Sequence, residues 1–333
     1  MNRPLVRILG LALLAVLIPA TGPHRLSDAQ TILDQAAGGS TPTLIGNDLI
    51  ATPGQEVLLE ASLSSGMGLS GIEGKRIQFH LGNRFIGELS TNRNGDVALP
   101  WKAPAESGDY LVRLSVPPDD QPPEPIDPAD LLVTVRPADT PIAIIDLDKT
   151  LVASGFVRVL LGAADPMPGS QLVTNRLAET HTIVYLTQRP DPLARLSKRW
   201  LAEYSFPPGP VLTSPLGSLL SGSGLYKATR LGTLKQHFTN LDVGIGDKPS
   251  DARAYVENGL RAILILHVNW AEDEPEDYEK LADELATLPD AVQVVTNWAQ
   301  VADALFNRVS FPREDMIRRL RDVARDLRRL GKK

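Results

Sequence analysis

Two aspartates stand two residues apart at the end of a short apolar run. Residues 142–152 read IAIIDLDKTLV, so Asp146 and Asp148 follow directly after four apolar residues. A carboxylate beside a buried strand costs free energy unless it is paired or binds a cation, so a functional reason is expected. One such carboxylate can act as a nucleophile, and a second can transfer protons. The pair therefore indicates nucleophilic and acid–base chemistry at a strand end.

Three further polar features follow apolar runs or open helical segments later in the chain. Thr187 ends the run in IVYLTQRP, Lys227 opens a helix in GLYKATRL, and Asp247 and Asp251 lie four apart in VGIGDKPSDARAY. With the first pair they fit phosphoryl transfer, in which a hydroxyl and an ammonium hold the phosphate oxygens while a carboxylate attacks phosphorus. Mg²⁺ bound by carboxylates would neutralise the anionic phosphate.

These residues carry a family resemblance. The succession Asp-x-Asp-x-Thr, a strand-end Thr, a Lys and Gly-Asp-x-x-x-Asp resembles the haloacid-dehalogenase (HAD) superfamily of phosphohydrolases. Within it, the stretch from 142 to about 267 is most similar to lipin-type phosphatidate phosphatases and to the related C-terminal domain of membrane-associated phosphatidylinositol-transfer proteins. The supporting segments are IVYLTQRPDPLARLSKRWLAEYSFPPGPVLTSP, GLYKATRLGTLKQHF and GIGDKPSDARAYVENGLR.

The resemblance implies a role for each residue. Asp146 matches the nucleophile, and Asp148 matches the general acid/base, whose backbone carbonyl would also contact Mg²⁺. Thr187 and Lys227 match the pair that binds phosphate, and Asp247 matches the metal-binding acid. The metal ligands implied are Asp146, Asp148, Asp247 and Asp251.

Three positions leave alternatives open. Lys149 replaces the glycine common in the family at that place, either adding a positive contact or pointing to solvent. Lys235 competes with Lys227, which is favoured because it opens the helix nearest the strand ends. Asp251 could support the metal, cap the helix that begins after Pro249, or do both, since the two roles are compatible.

The chain before these motifs has the pattern of an all-β domain over residues 40–137. KRIQFHL and YLVRLSV alternate apolar and polar residues, and turn signals separate the runs, which is typical of an antiparallel sandwich. The order of the strands resembles bacterial immunoglobulin-like domains. The proline-rich segment 117–130 is predicted to be a loop before a last strand, and the domain boundary to fall in PADTP at 137–141.

From residue 141 to 310 apolar runs alternate with helical segments, which predicts an α/β domain with a parallel sheet and helices on both faces. The resemblance makes it a HAD-like Rossmannoid domain with a minimal cap. Only 36 residues (151–186) and 39 residues (188–226) separate its first three motifs. Predicted strands are 142–146, 182–187, 210–213, 241–245, 262–267 and 292–295, and predicted helices lie near 191–204, 226–238, 250–258, 276–287, 297–307 and 313–330.

Composition excludes several classes of function. The 333-residue chain contains no cysteine, which excludes thiolate metal sites, cysteine nucleophiles and disulfides. Its net charge of −6 gives no overall basic field, so nucleic acid is not expected as a partner. The five histidines form no zinc-binding spacing, and no nucleophile-elbow or P-loop motif occurs.

The two ends of the chain suggest export and contact with lipid. Arg3 and Arg7 precede the apolar run 8–20, which is short for a membrane span, so residues 1–29 are predicted to be a secretory signal peptide or, alternatively, a membrane anchor. We therefore expect a periplasmic or extracellular protein. Residues 311–333 form a basic amphipathic helix, which either contacts anionic membranes peripherally or packs on the domain with a solvated basic face.

The function expected from the sequence is Mg²⁺-dependent hydrolysis of a phosphomonoester through an aspartyl phosphate, with phosphatidate or another lipid phosphate as substrate. A site without a large lid suits a bulky substrate. The alternatives are a non-catalytic phospholipid-binding module and a broad-specificity exported acid phosphatase. Because Asp146, Asp148, Asp247 and Asp251 are all present, catalysis is favoured over binding alone.

Overall fold

The computed structural model describes residues 42–65, 70–123, 125–153, 164–215, 223–268, 270, 274–329 and 331. The predicted signal peptide at 1–29 lies outside the described residues. Within the described residues, no helix combines the length and apolar character needed to cross a bilayer.

The N-terminal part is strand-rich and forms two sheets. One has the order β1-β3-β4, with β7 beside β3, and the other has the order β2-β9-β8-β5-β6. A short 3₁₀ helix, Pro118–Asp120, lies in the proline-rich segment predicted as a loop. The strands are β1 Thr43–Gly46, β2 Leu49–Ala51, β3 Glu56–Ser65, β4 Ser70–Gly71, β5 Arg76–Leu81, β6 Arg84–Ser90, β7 Asp96–Lys102, β8 Gly108–Ser115 and β9 Ala129–Val135.

The two sheets share one hydrophobic core. Ile77 and Phe79 alternate with polar residues along β5 and are fully buried, and they belong to the same cluster as Leu59 and Leu63 of β3 in the other sheet. Alternate side chains of a strand point to opposite faces, so the period of two buries one face of each sheet against the other. The observed sheets therefore pack as a sandwich.

The C-terminal part is a parallel six-stranded sheet covered by helices, as the sequence predicts. The strand order is β12-β11-β10-β13-β14-β15, and each pair of neighbouring strands in it is parallel. Its strands are β10 Ile142–Ile145, β11 Thr182–Pro190, β12 Val211–Ser214, β13 Leu241–Gly246, β14 Arg261–Ile265 and β15 Gln293–Val295. Its helices are α1 Ser170–Ala178, α2 Ala194–Glu203, α3 Ser223–Lys235, α4 Pro249–Glu257, α5 Pro275–Ala286, α6 Trp298–Phe306 and α7 Arg313–Arg329.

Strand β10 lies in the middle of the sheet, and its side chains are buried on both faces of the sheet. Ile142 and Ile144 point to the core under α3, α4, α5 and α7, whereas Ala143 and Ile145 point to the core under α1, α2 and α6. The chain winds outward through β11 and β12 on one side of β10 and through β13, β14 and β15 on the other. Such a change of direction opens a crevice at the carboxyl ends of the central strands, where ligands bind in open α/β sheets.

Helix α1 is the element that the sequence analysis missed. It begins after Gly169, which has a φ of 82° and offers no side chain to cap the helix. Because the usual N-cap residues are Ser, Thr, Asp and Asn, nothing in the local sequence marks this start. The other six helices and all six strands of the parallel sheet occur where they are predicted, with ends that differ by a few residues.

A buried aspartate joins the sandwich to the parallel-sheet part. Asp48 is 4% exposed, and its Oδ1 accepts hydrogen bonds from the Leu132 amide at 2.8 Å and from Lys198 Nζ at 2.6 Å. Its Oδ2 accepts one from the Val211 amide at 3.0 Å. Burial raises the pKa of Asp48, and Lys198 opposes that shift. One carboxylate thus binds a sandwich strand, helix α2 and strand β12 together.

Helix α7 packs its apolar stripe on the domain. Leu320 and Ala324 are fully buried in the core, and Ile317 and Leu327 are partly buried against it. Arginines beside this stripe pair with acids of α5, Arg321 with Asp283 at 3.0 Å and Arg328 with Glu276 at 3.0 Å. These are the contacts of the packed alternative, and contact with a membrane through this helix stays a prediction.

Candidate active site

Strand β10 delivers Asp146 to the crevice. The Asp146 amide donates to the Ile245 carbonyl at 3.0 Å, which extends the pairing of β10 with β13 by one residue. Asp146 is 4% exposed, and its Oδ1 lies 2.9 Å from Nζ of Lys227. The first aspartate of the opening motif is therefore a buried carboxylate in contact with a cation.

Strand β13 and helix α4 bring two more carboxylates to Asp146. Carboxylate oxygens of Asp146, Asp247 and Asp251 all lie within 4.8 Å of one another. Two glycines of β13 make this approach possible. A Cβ at Gly244 would lie 2.2 Å from the ring of Tyr255 on α4, and a Cβ at Gly246 would lie 3.0 Å from Oδ2 of Asp251. Glycine is needed where helix and strand approach this closely.

Asp251 does not cap helix α4, so the capping alternative is wrong. The N-cap residue is Lys248, which makes no side-chain cap, and Asp251 lies in the first turn. The Asp251 side chain is fully buried, and its Oδ2 accepts a hydrogen bond from Lys227 at 2.6 Å. Its carboxylate is therefore directed into the cluster.

The structure also decides between the two candidate lysines. Lys227 is 1% exposed and contacts both Asp146 and Asp251, whereas Lys235 is exposed at the C-terminal end of α3. A buried ammonium is tolerated only when acids compensate its charge. Lys227 is thus the cation of this cluster, as the order of the motifs predicts.

Burial dominates the electrostatics of the cluster. It raises the pKa of Asp146 to about 6; the Lys227 ammonium opposes the rise, and the Asp251 and Asp148 carboxylates add to it. Burial, with the charges of Asp146 and Asp251, raises the pKa of Asp247 to about 7. Although burial acts against it, the carboxylates of Asp146 and Asp251 raise the pKa of Lys227 well above its ordinary value. The lysine is charged, and the acids exceed it in number.

The donor atoms fit a divalent metal ion. Oδ1 of Asp247 and Oδ1 of Asp251 are buried and have no hydrogen-bond partner among the described residues. Buried carboxylate oxygens are normally paired, so two unpaired oxygens in one cluster of three acids are suited to binding a cation. The triad offers only oxygen ligands, which suits hard cations. It could hold a metal ion.

The carboxylate of Asp148 makes a different contact. Nε of Arg189 donates to its Oδ2 at 2.9 Å, and Nη2 of Arg189 donates to its Oδ1 at 2.8 Å. Arg189 is 3% exposed, and its Nη1 donates to Oγ of Ser197 at 2.9 Å. The sequence analysis did not assign a role to Arg189. The available signal was a charged residue two positions after Thr187 inside an otherwise buried strand.

Two threonines of the sequence motifs are buried. Thr187 is 1% exposed in β11, and its Oγ1 accepts from the Arg189 amide at 3.2 Å. A hydroxyl that accepts one hydrogen bond can still donate its own hydrogen, for example to a phosphate oxygen. Thr150 is fully buried, and its Oγ1 has no partner among the described residues. Thr150 belongs to the opening motif, but no separate role was predicted for it.

Lys149 has a backbone conformation that favours glycine. Its φ is 56°, in the left-handed region, and its side chain is exposed. Its carbonyl accepts a hydrogen bond from Nε2 of His267 at 2.5 Å. Glycine would adopt this conformation without cost, whereas a residue with a Cβ pays about 1–2 kcal/mol for it. The side chain takes the solvent-facing alternative.

Comparisons with known proteins assign no family. No family model matches the chain, and no curated protein sequence matches it. Similar solved structures include fibronectin(III)-like modules of CbhA from Clostridium thermocellum (15% identity, 27% of this chain and 87% of theirs, TM-score 0.18). They also include titin domains z1z2 (17%, 32% and 56%, 0.19) and a β-glucuronidase from Bifidobacterium dentium (8%, 78% and 53%, 0.27). The chain spans little more than half of the last two, and TM-scores this low carry no argument.

Proposed function

We propose that this chain is a Mg²⁺-dependent phosphomonoester hydrolase of the HAD type. The observation that supports it best is the cluster at the carboxyl end of β10, where Asp146 touches Lys227 and lies beside Asp247 and Asp251, each of which has a buried oxygen without a partner among the described residues. A structural ion pair needs one acid for one base. Three acids around one lysine leave negative charge that a cation and a phosphate-binding reaction account for.

In the first half of the proposed reaction, a carboxylate oxygen of Asp146 attacks the phosphorus atom and forms an acyl phosphate. The bond between phosphorus and the leaving oxygen breaks, and Asp148 transfers its proton to that oxygen, which releases an alcohol. Lys227 and the hydroxyl of Thr187 donate to the phosphate oxygens as charge spreads over them.

In the second half, a water oxygen attacks the phosphorus of the acyl phosphate. Asp148, now a carboxylate, takes a proton from that water, and the bond between Asp146 and phosphorus breaks. Inorganic phosphate leaves, and both acids return to their starting states. The sum of the two halves is ester plus water giving alcohol plus phosphate.

The metal ion would be held by Asp146, Asp247 and Asp251, whose donor atoms are all carboxylate oxygens. We propose Mg²⁺ because hard oxygen ligands suit it and because phosphoryl-transfer sites commonly use it. When bound, it offsets the negative charge of the phosphate and keeps the neighbouring carboxylates ionised.

The proposed substrate is phosphatidate or another lipid phosphate. Between the first motif and Thr187 the described residues form α1 and the start of β11, and between Thr187 and Lys227 they form a 3₁₀ helix, α2 and β12. All of these described elements belong to the sheet and its helices, and none of them forms a separate lid. A site with little cover suits a phosphate presented at a membrane surface. Export, predicted from residues 1–29, belongs to the same proposal.

The test is phosphate release from p-nitrophenyl phosphate and from phosphatidate vesicles, with Mg²⁺ and with EDTA. We expect EDTA to abolish release, and Asp146→Asn to reduce it by about 10³-fold or more while the fold is retained. Asp242→Asn is the matched control, because Asp242 lies at the amino end of β13, where it pairs with Arg261.

The outcomes separate the candidate functions. Release that persists in Asp146→Asn would overturn the assignment of the nucleophile. Vesicle binding without any release favours the phospholipid-binding module. Cleavage of soluble esters with none of phosphatidate favours the exported acid phosphatase with broad specificity.

A further inference from the structure

We propose that Arg189 is a positioning residue for Asp148, holding the proton-transferring carboxyl in the orientation that the reaction needs. This inference rests on the proposed function, since Asp148 has a proton to transfer only if the site cleaves phosphate esters. The resemblance noted in the sequence implies roles for the four acids, Thr187 and Lys227 but none for Arg189, so this inference goes beyond it.

The contact between Arg189 and Asp148 has the geometry of a fixed pair. Two nitrogens of one guanidinium face two oxygens of one carboxylate, at 2.9 and 2.8 Å. Such bidentate pairs restrict rotation of the carboxylate as well as attracting it. Asp148 lies in the turn after β10, where backbone pairing alone does not fix the direction of its side chain. The guanidinium therefore determines where the carboxyl group points.

Arg189 is itself held on several sides. Its backbone amide donates to Oγ1 of Thr187, and its Nη1 donates to Oγ of Ser197, which in turn donates to the Leu193 carbonyl at 3.1 Å. The side chain of Arg189 is 2% exposed, whereas that of Asp148 is 29% exposed. The arginine is thus buried behind Asp148, and the partly open carboxyl lies between it and the solvent.

This arrangement suits a group that must transfer a proton twice. Arg189 presents two N–H groups to Asp148, so one can keep the carboxyl in place while the other oxygen carries the proton. The carboxyl can then donate to the leaving oxygen and later accept from water without losing its orientation. The same arginine ties Asp148 to Thr187, so the proton donor and a proposed phosphate ligand keep a fixed relation.

The competing interpretation is a structural ion pair that only stabilises the fold. The two interpretations differ in how activity depends on the leaving group. An ester with a good leaving group, such as p-nitrophenyl phosphate, needs little protonation, whereas an alkyl ester such as glycerol phosphate needs much. Loss of a positioned proton donor therefore slows alkyl esters selectively, while general damage to the fold slows both equally.

The experiment measures kcat and KM for these two esters with full-length wild type, Arg189→Gln, Arg189→Lys and Asp148→Asn, and with the double variant Asp148→Asn/Arg189→Gln. We expect Arg189→Gln to lower kcat for glycerol phosphate by about 10²-fold and kcat for p-nitrophenyl phosphate by less than about 10-fold, with KM little changed. Arg189→Lys restores part of the loss, because a lysine can make one of the two hydrogen bonds.

The double variant gives the most direct test of whether Arg189 acts through Asp148. If Arg189 acts through Asp148, adding Arg189→Gln to Asp148→Asn costs little more activity than Asp148→Asn alone. Arg261→Gln is the matched control, since Arg261 makes the same kind of two-nitrogen contact with Asp242 at the amino end of the sheet. That control should leave the ratio of the two kcat values unchanged.

Each other result overturns a stated part of the reasoning. Equal losses for both esters in Arg189→Gln, or additive losses in the double variant, reduce the arginine to a structural role and leave the proposed function intact. If the wild type hydrolyses neither ester nor phosphatidate, the proposed function fails, and this inference fails with it.

Discussion

Replacing Asp247 with asparagine should stabilise the fold when no metal is bound, although removing a charge from a buried cluster usually destabilises a protein. In the absence of metal, Oδ1 of Asp247 and Oδ1 of Asp251 have no hydrogen-bond partner in the part of the chain that the structure describes, and Asp146 adds a third acid to the cluster. A buried polar atom without a partner costs about 1–3 kcal/mol. Asparagine keeps the shape, removes one like charge and adds an N–H donor. Asp247→Asn should therefore raise the free energy of unfolding in EDTA by roughly 1–3 kcal/mol.

With Mg²⁺ present, the relative stability of the wild type and Asp247→Asn should change. A cation that binds the folded wild type at 100 times its Kd adds about 2.7 kcal/mol to the free energy of unfolding. Asp247→Asn removes one of three charged ligands and should lose most of that gain. The wild type is then expected to be the less stable protein in EDTA and at least equal to the variant in saturating Mg²⁺. Urea unfolding followed by circular dichroism measures both.

The pH dependence has a definite sign. Because the pKa of Asp247 is raised to about 7 in the fold, the folded state keeps a proton that the unfolded state loses near the ordinary value of 3.8. Stability in EDTA therefore falls as pH rises between those values, and the advantage of Asp247→Asn should be larger at about pH 8 than at about pH 5.

Asp242→Asn is the control on the same strand. Although burial opposes it, hydrogen bonds from Arg261 and His181 lower the pKa of Asp242, so its ionised form stabilises the fold. Asp242→Asn should lower stability by up to about 1 kcal/mol and keep the full response to Mg²⁺. If Asp247→Asn behaves in the same way, with lower stability in EDTA and an unchanged response, the metal-site reasoning is refuted.

Three further outcomes are expected. Gly244→Ala should lower the free energy of unfolding by about 1–3 kcal/mol and reduce activity, because its Cβ meets the Tyr255 ring and displaces the helix that carries Asp251. Urea unfolding measures the first effect and kcat the second, and a variant that matches the wild type in both would contradict the close packing. Lys149→Gly should keep full phosphate release and gain up to about 1 kcal/mol in unfolding, whereas a loss of activity would give the Lys149 ammonium a role in the reaction. Asp48→Ala should cost about 3–5 kcal/mol by leaving its buried donors unpaired, and a variant as stable as wild type in urea would contradict this.

The sequence was sufficient to predict that the polar strand ends lie on one edge of a sheet. The apolar runs before Asp146 and Asp247 were predicted to be strands of one mostly parallel sheet, and parallel strands place their carboxyl ends on the same edge. That β10 and β13 are neighbours is seen only in the structure. Lys227 followed from the same logic, since it opens the helix beside that edge. Helix α1 escaped notice because its start depends on a glycine conformation and carries no capping side chain.

The partners within the site could not be read from the chain. Arg189 meets Asp148 only because β11 lies beside β10 in the sheet, and sequence spacing carries no information on that contact. Asp251 reads equally well as a helix cap or as a ligand until its side chain is seen against Lys227. The left-handed φ of Lys149 is a property of one tight turn, and the lysine itself gives no sign of it.

The buried Asp48 limits how the sandwich can be exchanged for another domain or removed from the chain. A sandwich joined by a flexible tether could be exchanged for another module without loss, whereas this one provides the acceptor for the Val211 amide on the edge strand of the parallel sheet. A fragment that starts after the sandwich would expose that amide and leave Lys198 without this carboxylate. A substituted sandwich would need an acid at the same place. Substitutions in one part are therefore constrained by the contacts that this part makes with the other.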